Sequence, residues 1–316
     1  MSIDLGVFRR FMDEDLIPDG TKFGDYLSVA LGVRPASQFI SPAELPDARI
    51  LGATIDERYK RKMAGRKMPG VRGKMLGGRV SKFWQRDQAK EVKFRLDAIR
   101  DIYKDVVLGS HSYRTYIQWA EDLGLRHMEL ESRPTIREVY LYKDPAVEKE
   151  LFALQELRKD IRWQKRRRPA DDQPAYARAF PEETNPVFTK KLGEILGFPP
   201  CCVARYSFDR ESGVLSPEQR ASDQLSNLPP DESHEPFAYF TKDFFPCLPD
   251  CENAAALGAE LERKLTELDP DVGRRYRDYL AGNVDLTHRY PLLLKEHAEM
   301  LEKLSGEKEE GGPSGR

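Results

Sequence analysis

All four cysteines of this chain fall in two proline-framed segments, FPPCCVARYSF and FPCLPDCENAAALG, about 45 residues apart. If Cys201, Cys202, Cys247 and Cys251 serve one site, the chain must return on itself between the segments. That condition constrains the fold more than any other feature. Pro199 and Pro200 precede the first pair, and proline suits the first turn of a helix, where an N–H would be unpaired anyway. In the second segment Pro249 breaks the chain, and Asp250 is a good N-cap for a helix starting near Cys251. Both pairs are therefore expected at or near helix N-termini. Free N–H groups and the positive end of the helix dipole gather there and favour thiolate over thiol.

Four thiolates suffice for a tetrahedral zinc site or for an iron–sulfur cluster. The spacing here is an adjacent pair followed by C-x3-C, not the doubled C-x2-C of a zinc ribbon. Neighbouring cysteines on a helix project in different directions, so one metal ion would demand local distortion. A larger cluster, or three cysteines with another ligand, relaxes that demand. His234, Asp250 and Glu252 are near in sequence, and His234 is a candidate ligand or proton carrier. Two alternatives stand beside a bound metal: a metal-free cysteine redox site, and four inert core thiols. No residue is marked as catalytic, so whether the chain is an enzyme stays open.

The run LGEILGFPPCCVARYSF, followed by FFPCLPDCENAAALG, resembles the prokaryotic family catalogued as domain of unknown function 483. Its members carry a Pro-x-Cys-Cys element after a short Leu-Gly helix, then a Pro-Cys-x-x-x-Cys element. YLSVALGVRPASQFI is similar to a Leu-Gly-x-x-Pro-Ala stretch of that family. The resemblance is clearest over 185–285 and does not extend to the basic insert at 58–86. It implies a shared cysteine site and no particular activity.

The formal net charge of -2 conceals an uneven distribution. Between 58 and 95 there are 14 Lys or Arg against two acids, whereas 201–270 holds 14 acids against six Lys or Arg. Lys60, Arg61, Lys62, Arg66, Lys67, Arg72, Lys74 and Arg79 sit with glycines just ahead of Phe83 and Trp84. A basic flexible arm of this kind can neutralise phosphates and stack bases. Nucleic acid or another anionic ligand is thus a candidate partner, and so is the chain's own acidic half. Under that reading the cysteine site would be structural.

Several classes find no support. No stretch approaches the roughly 20 apolar residues of a membrane helix. The N-terminal MSIDLGVFRRFMDED lacks the apolar core of a leader, so a cytoplasmic protein is expected, where cysteines stay reduced. GRKMPGV lacks the end of a P-loop, and G-x-S-x-G is absent. Of the other histidines, His111, His127, His288 and His297, none makes a metal motif. Oligomeric state is not legible.

The expected fold is mainly α, in the α+β class: a helical two-lobed protein with a small β-hairpin. Residues 1–165 should form a helical N-terminal domain, 166–184 a polar linker, 185–305 a helical cysteine-containing domain, and 306–316 a disordered tail. KFGDYLSVALGV reads as a helix closed by Gly32 and Pro35. Residues 41–86 are poorly periodic, and MAGRKMPGVRGKMLGGRVSKFW, 63–84, reads as a long loop or mobile segment. Val92, Leu96, Ile99, Tyr103 and Val106 recur at three- and four-residue steps and should form one buried stripe of a helix over 87–107. Further helices are expected over 113–123, 145–165, 185–197, 251–268, 271–281 and 289–304. HMELES and IREVYLYK alternate as strands of a hairpin near 127–143.

Overall fold

A computed structural model describes residues 3–64, 79–167, 180–212, 216–228 and 234–310. Helix dominates, joined by a small sheet, so the chain is mainly α in the α+β class. It divides into two compact units. One contains Gly6–Pro18 and Gln38–Tyr142; the other contains Met1–Leu5, Asp19–Ser37 and Lys143–Arg316. This line differs from the expected 1–165 and 185–305, because Asp19–Ser37 packs with the cysteine-bearing half. Arg34 supplies the reason: its guanidinium donates to the Leu196 carbonyl at 2.9 Å and the Gly24 carbonyl at 3.0 Å, and it lies 4.5 Å from the Phe198 ring centre.

The elements run as follows. Helix α1 is Leu5–Met12; α2 joins Asp19–Thr21, a π-helical stretch Lys22–Leu27, and Ser28–Ala30. Gly32, at φ 70°, lets the chain leave this helix toward β1, Ala36–Ser41. Helices α3, Ala48–Met63, and α4, Arg79–Tyr103, with a π-helical extension Lys104–Leu108, take up the two ends of the expected loop at 63–84, whose middle, 65–78, lies outside the described residues. Helix α3 is held by good helix formers and by the Glu57–Arg61 pair one turn apart. After α5, His111–Asp122, the hairpin of β2, Arg126–Arg133, and β3, Ile136–Tyr142, falls where the alternation placed it.

Strand order is β1-β3-β2, and β2 with β3 is antiparallel in a register that sets Glu129 opposite Val139. The central β3 is buried along both faces, which suits its run of β-branched and aromatic residues. Its polar members are paired: Arg137 reaches Glu131 at 3.1 Å and covers the Tyr103 ring. The α4 stripe is buried only toward its end. Ala98, Ile102 and Tyr103 are buried, and Val106 and Val107 follow, while Val92 and Leu96 are 56% and 36% exposed. Periodicity marks the face that can be buried, not how far along it a partner extends.

The second unit continues with α6, Ala146–Arg167; α7, Pro186–Ile195; α8, Pro200–Ser212; and α9, Pro217–Ser226. Asn185 caps α7 through its side chain, and Gly197, at φ 70°, ends it. The expected linker is anchored at its end: Glu182 is 2% exposed and pairs with Arg158 and Arg162. A 3-10 turn, Pro236–Tyr239, leads to α10, Glu252–Leu268, and α11, Pro270–Glu310.

Helix α11 is one element where two were expected, and it takes in Gly306–Glu310, the start of the expected disordered tail. Between the two expected helices Asn283 and Thr287 are buried and hydrogen-bonded. Asn283 donates to the Tyr239 and Thr241 carbonyls at 2.8 and 3.0 Å, and the Thr287 hydroxyl donates back to the Asn283 carbonyl. Asn283 thereby satisfies two carbonyls at and just after the end of the 3-10 turn.

Candidate metal centre

Pro200 opens α8, so Cys201 and Cys202 occupy its first turn, as the proline frame implied. Successive helical residues diverge by about 100°. Even so, both sulfurs flank one point and lie 3.9 Å apart. Cys251 is itself the N-cap of α10, with no side-chain capping bond. This corrects the assignment of Asp250, which is exposed. The Cys251 carbonyl accepts from the Ala254 and Ala255 amides, leaving its sulfur free to face Cys201 at 3.8 Å and Cys202 at 3.6 Å. Cys247 lies four residues earlier, in a loop and not at a helix start. All four sulfurs lie within 4.8 Å of one another.

These separations are well beyond a disulfide bond of about 2.05 Å, and all four cysteines are free thiols. Cys202 and Cys251 are buried; Cys201 and Cys247 are half-buried. Phe240 and Phe244, with Phe198 packed against them, form the apolar wall. Burial pushes the Cys201 thiol up, but the Asn253 amide, 3.5 Å from its sulfur, and the neighbouring sulfurs outweigh this and leave it below its usual value. Burial pushes Cys202 well up, only partly offset by the backbone N–H of Cys247. Cys247 is pushed up to about 11, by burial and then by Cys251.

The loop carrying Cys247 is held by groups with no metal-binding signature. Arg220 donates to the Pro246 carbonyl at 2.7 Å, and Gln224 donates to the Cys247 carbonyl at 3.1 Å. The Arg220 guanidinium in turn pairs with Asp209 of α8 at 2.7 Å, with side chains only 3% and 4% exposed. One ion pair thus ties the helix of the first cysteine pair to the loop of the second. Asn253, two residues past Cys251, was open to sequence reasoning. Arg220 was not, since its acceptors lie 26 and 27 residues further on.

The other candidates are placed as follows. His234 is exposed and stands outside the sulfur group, although the next amide, Glu235, donates to the Pro249 carbonyl at 3.0 Å. Asp250 and Glu252 are exposed and also outside it. Lys60, Arg61 and Lys62 are exposed on the last turn of α3, where Arg61 pairs with Glu57 and Lys62 lies 3.7 Å from Asp101. Arg66, Lys67, Arg72 and Lys74 lie outside the described residues, and Arg79 begins α4. Among the described residues no helix is long and apolar enough to cross a membrane.

Fold and site together define a mainly helical α+β protein with four cysteines gathered where a metal ion can be held. No family model matches the chain, nor does any curated protein or any solved structure.

Proposed function

We propose that Cys201, Cys202, Cys247 and Cys251 hold one tetrahedral metal ion, zinc in the first instance, and that the ion's role is structural. The supporting observation is that the Cys201, Cys202 and Cys251 sulfurs stand 3.6, 3.8 and 3.9 Å apart, with the Cys247 sulfur within 4.8 Å of each. Metal–sulfur bonds of about 2.3 Å in a tetrahedron set sulfur–sulfur edges of about 3.8 Å. In a four-iron cluster each thiolate binds a different iron, so the ligand sulfurs stand farther apart than the 4.8 Å limit here. Four protein ligands also leave no open coordination position, which separates structural zinc sites from catalytic ones. The ion would join the starts of α8 and α10 to the Cys247 loop, and the Asn253 and Cys247 N–H groups aimed at sulfur supply outer-sphere donors.

Metal analysis of chain purified without oxygen should find one zinc per molecule. Cobalt substituted for it should give the visible bands of tetrahedral thiolate coordination. A brown protein containing inorganic sulfide would show an iron–sulfur cluster instead. Chain purified with no metal, and unable to take up zinc or cobalt, would refute the assignment.

A further inference from the structure

A groove of about 840 Å³ opens on the surface, lined in part by Leu248, Pro249, Asp250 and Glu252, the residues that flank Cys247 and Cys251 in the chain. Its floor is one face of α10, where Ala255, Ala256 and Ala259 follow at helical spacing and leave room for close approach. Its walls come from Phe237 of the 3-10 turn and from Leu248 and Pro249, which lie between Cys247 and Cys251. The loop that carries two thiols is therefore also the wall of the groove. The wall is tied to the start of the 3-10 turn, because the Glu235 amide donates to the Pro249 carbonyl. Leu248 is 54% exposed, a large apolar side chain facing solvent.

Charge decides what fits. Glu235, Asp250 and Glu252 are the charged residues lining the groove, and no lysine or arginine joins them among the described residues. A divalent ion bound by four thiolates leaves two negative charges uncompensated just behind the wall. The field over an apolar floor of this size is thus negative, which repels nucleic acid and draws cations. Volumes of a few hundred to about 1,000 Å³ are those of sites that seat a ligand or a short segment of chain.

We infer that this groove docks a basic amphipathic peptide segment of a partner protein. The apolar side of that segment rests on the alanine floor, and its lysines or arginines lie over Asp250 and Glu252. The inference rests on the metal assignment for the extra negative charge and for the fixed wall.

Fluorescence anisotropy tests this on zinc-loaded full-length chain, with a fluorescein-labelled amphipathic Leu/Lys helical peptide as probe. The same peptide with Glu in place of Lys serves as control. The Leu/Lys probe should bind, and binding should weaken steeply with salt, while the Leu/Glu probe should not bind. Ala259→Trp fills the floor at an exposed position and should weaken binding by about tenfold or more. Glu252→Gln should weaken it by about threefold. Circular dichroism and zinc content of each variant check that the chain is folded and loaded.

Equal binding of both probes, or no effect of Ala259→Trp, overturns the inference. A concentration-dependent dimer abolished by Ala259→Trp also overturns it, since the occupant is then a second copy. Zinc bound with no probe binding sinks the groove alone. Probe binding to chain that takes up no metal sinks the metal assignment while the groove stands.

Discussion

Replacing Arg220 with methionine removes a buried cation while keeping most of the side-chain volume. The guanidinium makes a 2.7 Å bond to Asp209 and a 2.7 Å bond to the Pro246 carbonyl, and it is 3.5 Å from the Cys247 carbonyl. Breaking a buried pair by deleting one partner costs about 3–5 kcal/mol, because the other charge stays buried. Asp209 keeps Arg205 at 3.1 Å, although that arginine is 41% exposed. The low end, about 3 kcal/mol, is therefore expected. Urea unfolding of the zinc-loaded chain reads that figure from the midpoint shift at constant slope.

The same substitution frees the Cys247 loop, so zinc affinity measured by chelator competition should fall about 10- to 100-fold, the usual cost of an outer-sphere change. Asp209→Leu combined with Arg220→Met should recover much of the lost stability, because no charge is left stranded, but not the zinc affinity. A stability loss below about 1 kcal/mol with unchanged affinity would refute the claim that this pair links the two cysteine segments.

Two glycines in helices should respond oppositely to alanine. A Cβ at Gly258 of α10 would lie 2.2 Å from the Phe237 carbonyl oxygen, so Gly258→Ala should destabilise by about 1–3 kcal/mol in thermal or urea unfolding. At Gly282 of α11 a Cβ meets nothing within 4 Å, so Gly282→Ala should stabilise by about 0.5–1 kcal/mol; the same sign for both would contradict the packing described. Burial raises the Tyr103 phenol from 10.0 to about 12. A raised folded pKa contributes stability that is full below pH 10 and is lost as pH rises through about 12. Unfolding midpoints measured between neutral pH and pH 12 should fall in that window, and Tyr103→Phe should shrink the fall at the cost of the 3.0 Å bond to Ser41.

Local signals carried far. The hairpin at 126–142 was readable because alternation of side chains follows from the pleat alone. The ends of α2 and α7 were readable because Gly32 and Gly197 supply positive φ where a helix must stop. Helix α11 was read as two, 271–281 and 289–304, whereas the carbonyls of Tyr239 and Thr241 reach Asn283 between them and the helix runs through Pro291. Val92 and Leu96 were misread as buried for a related reason: the stripe gives a face without saying what covers it. Strand β1 was missed because ASQFIS is short and gains its pairing only from β3.

The sequence by itself determined the helical class, the hairpin and the gathering of every cysteine at two proline-framed turns. Each of those follows from sterics and hydrogen bonding over a few neighbouring residues. Only the tertiary structure decided that the two turns meet, that adjacent Cys201 and Cys202 share one point with Cys251, and that Asp19–Ser37 belongs with the cysteine unit. Those outcomes depend on partners distant along the chain, such as Arg34 and Leu196, 162 residues apart. Such pairings must offset the entropy of closing long loops, and no short-range pattern records which partner does so.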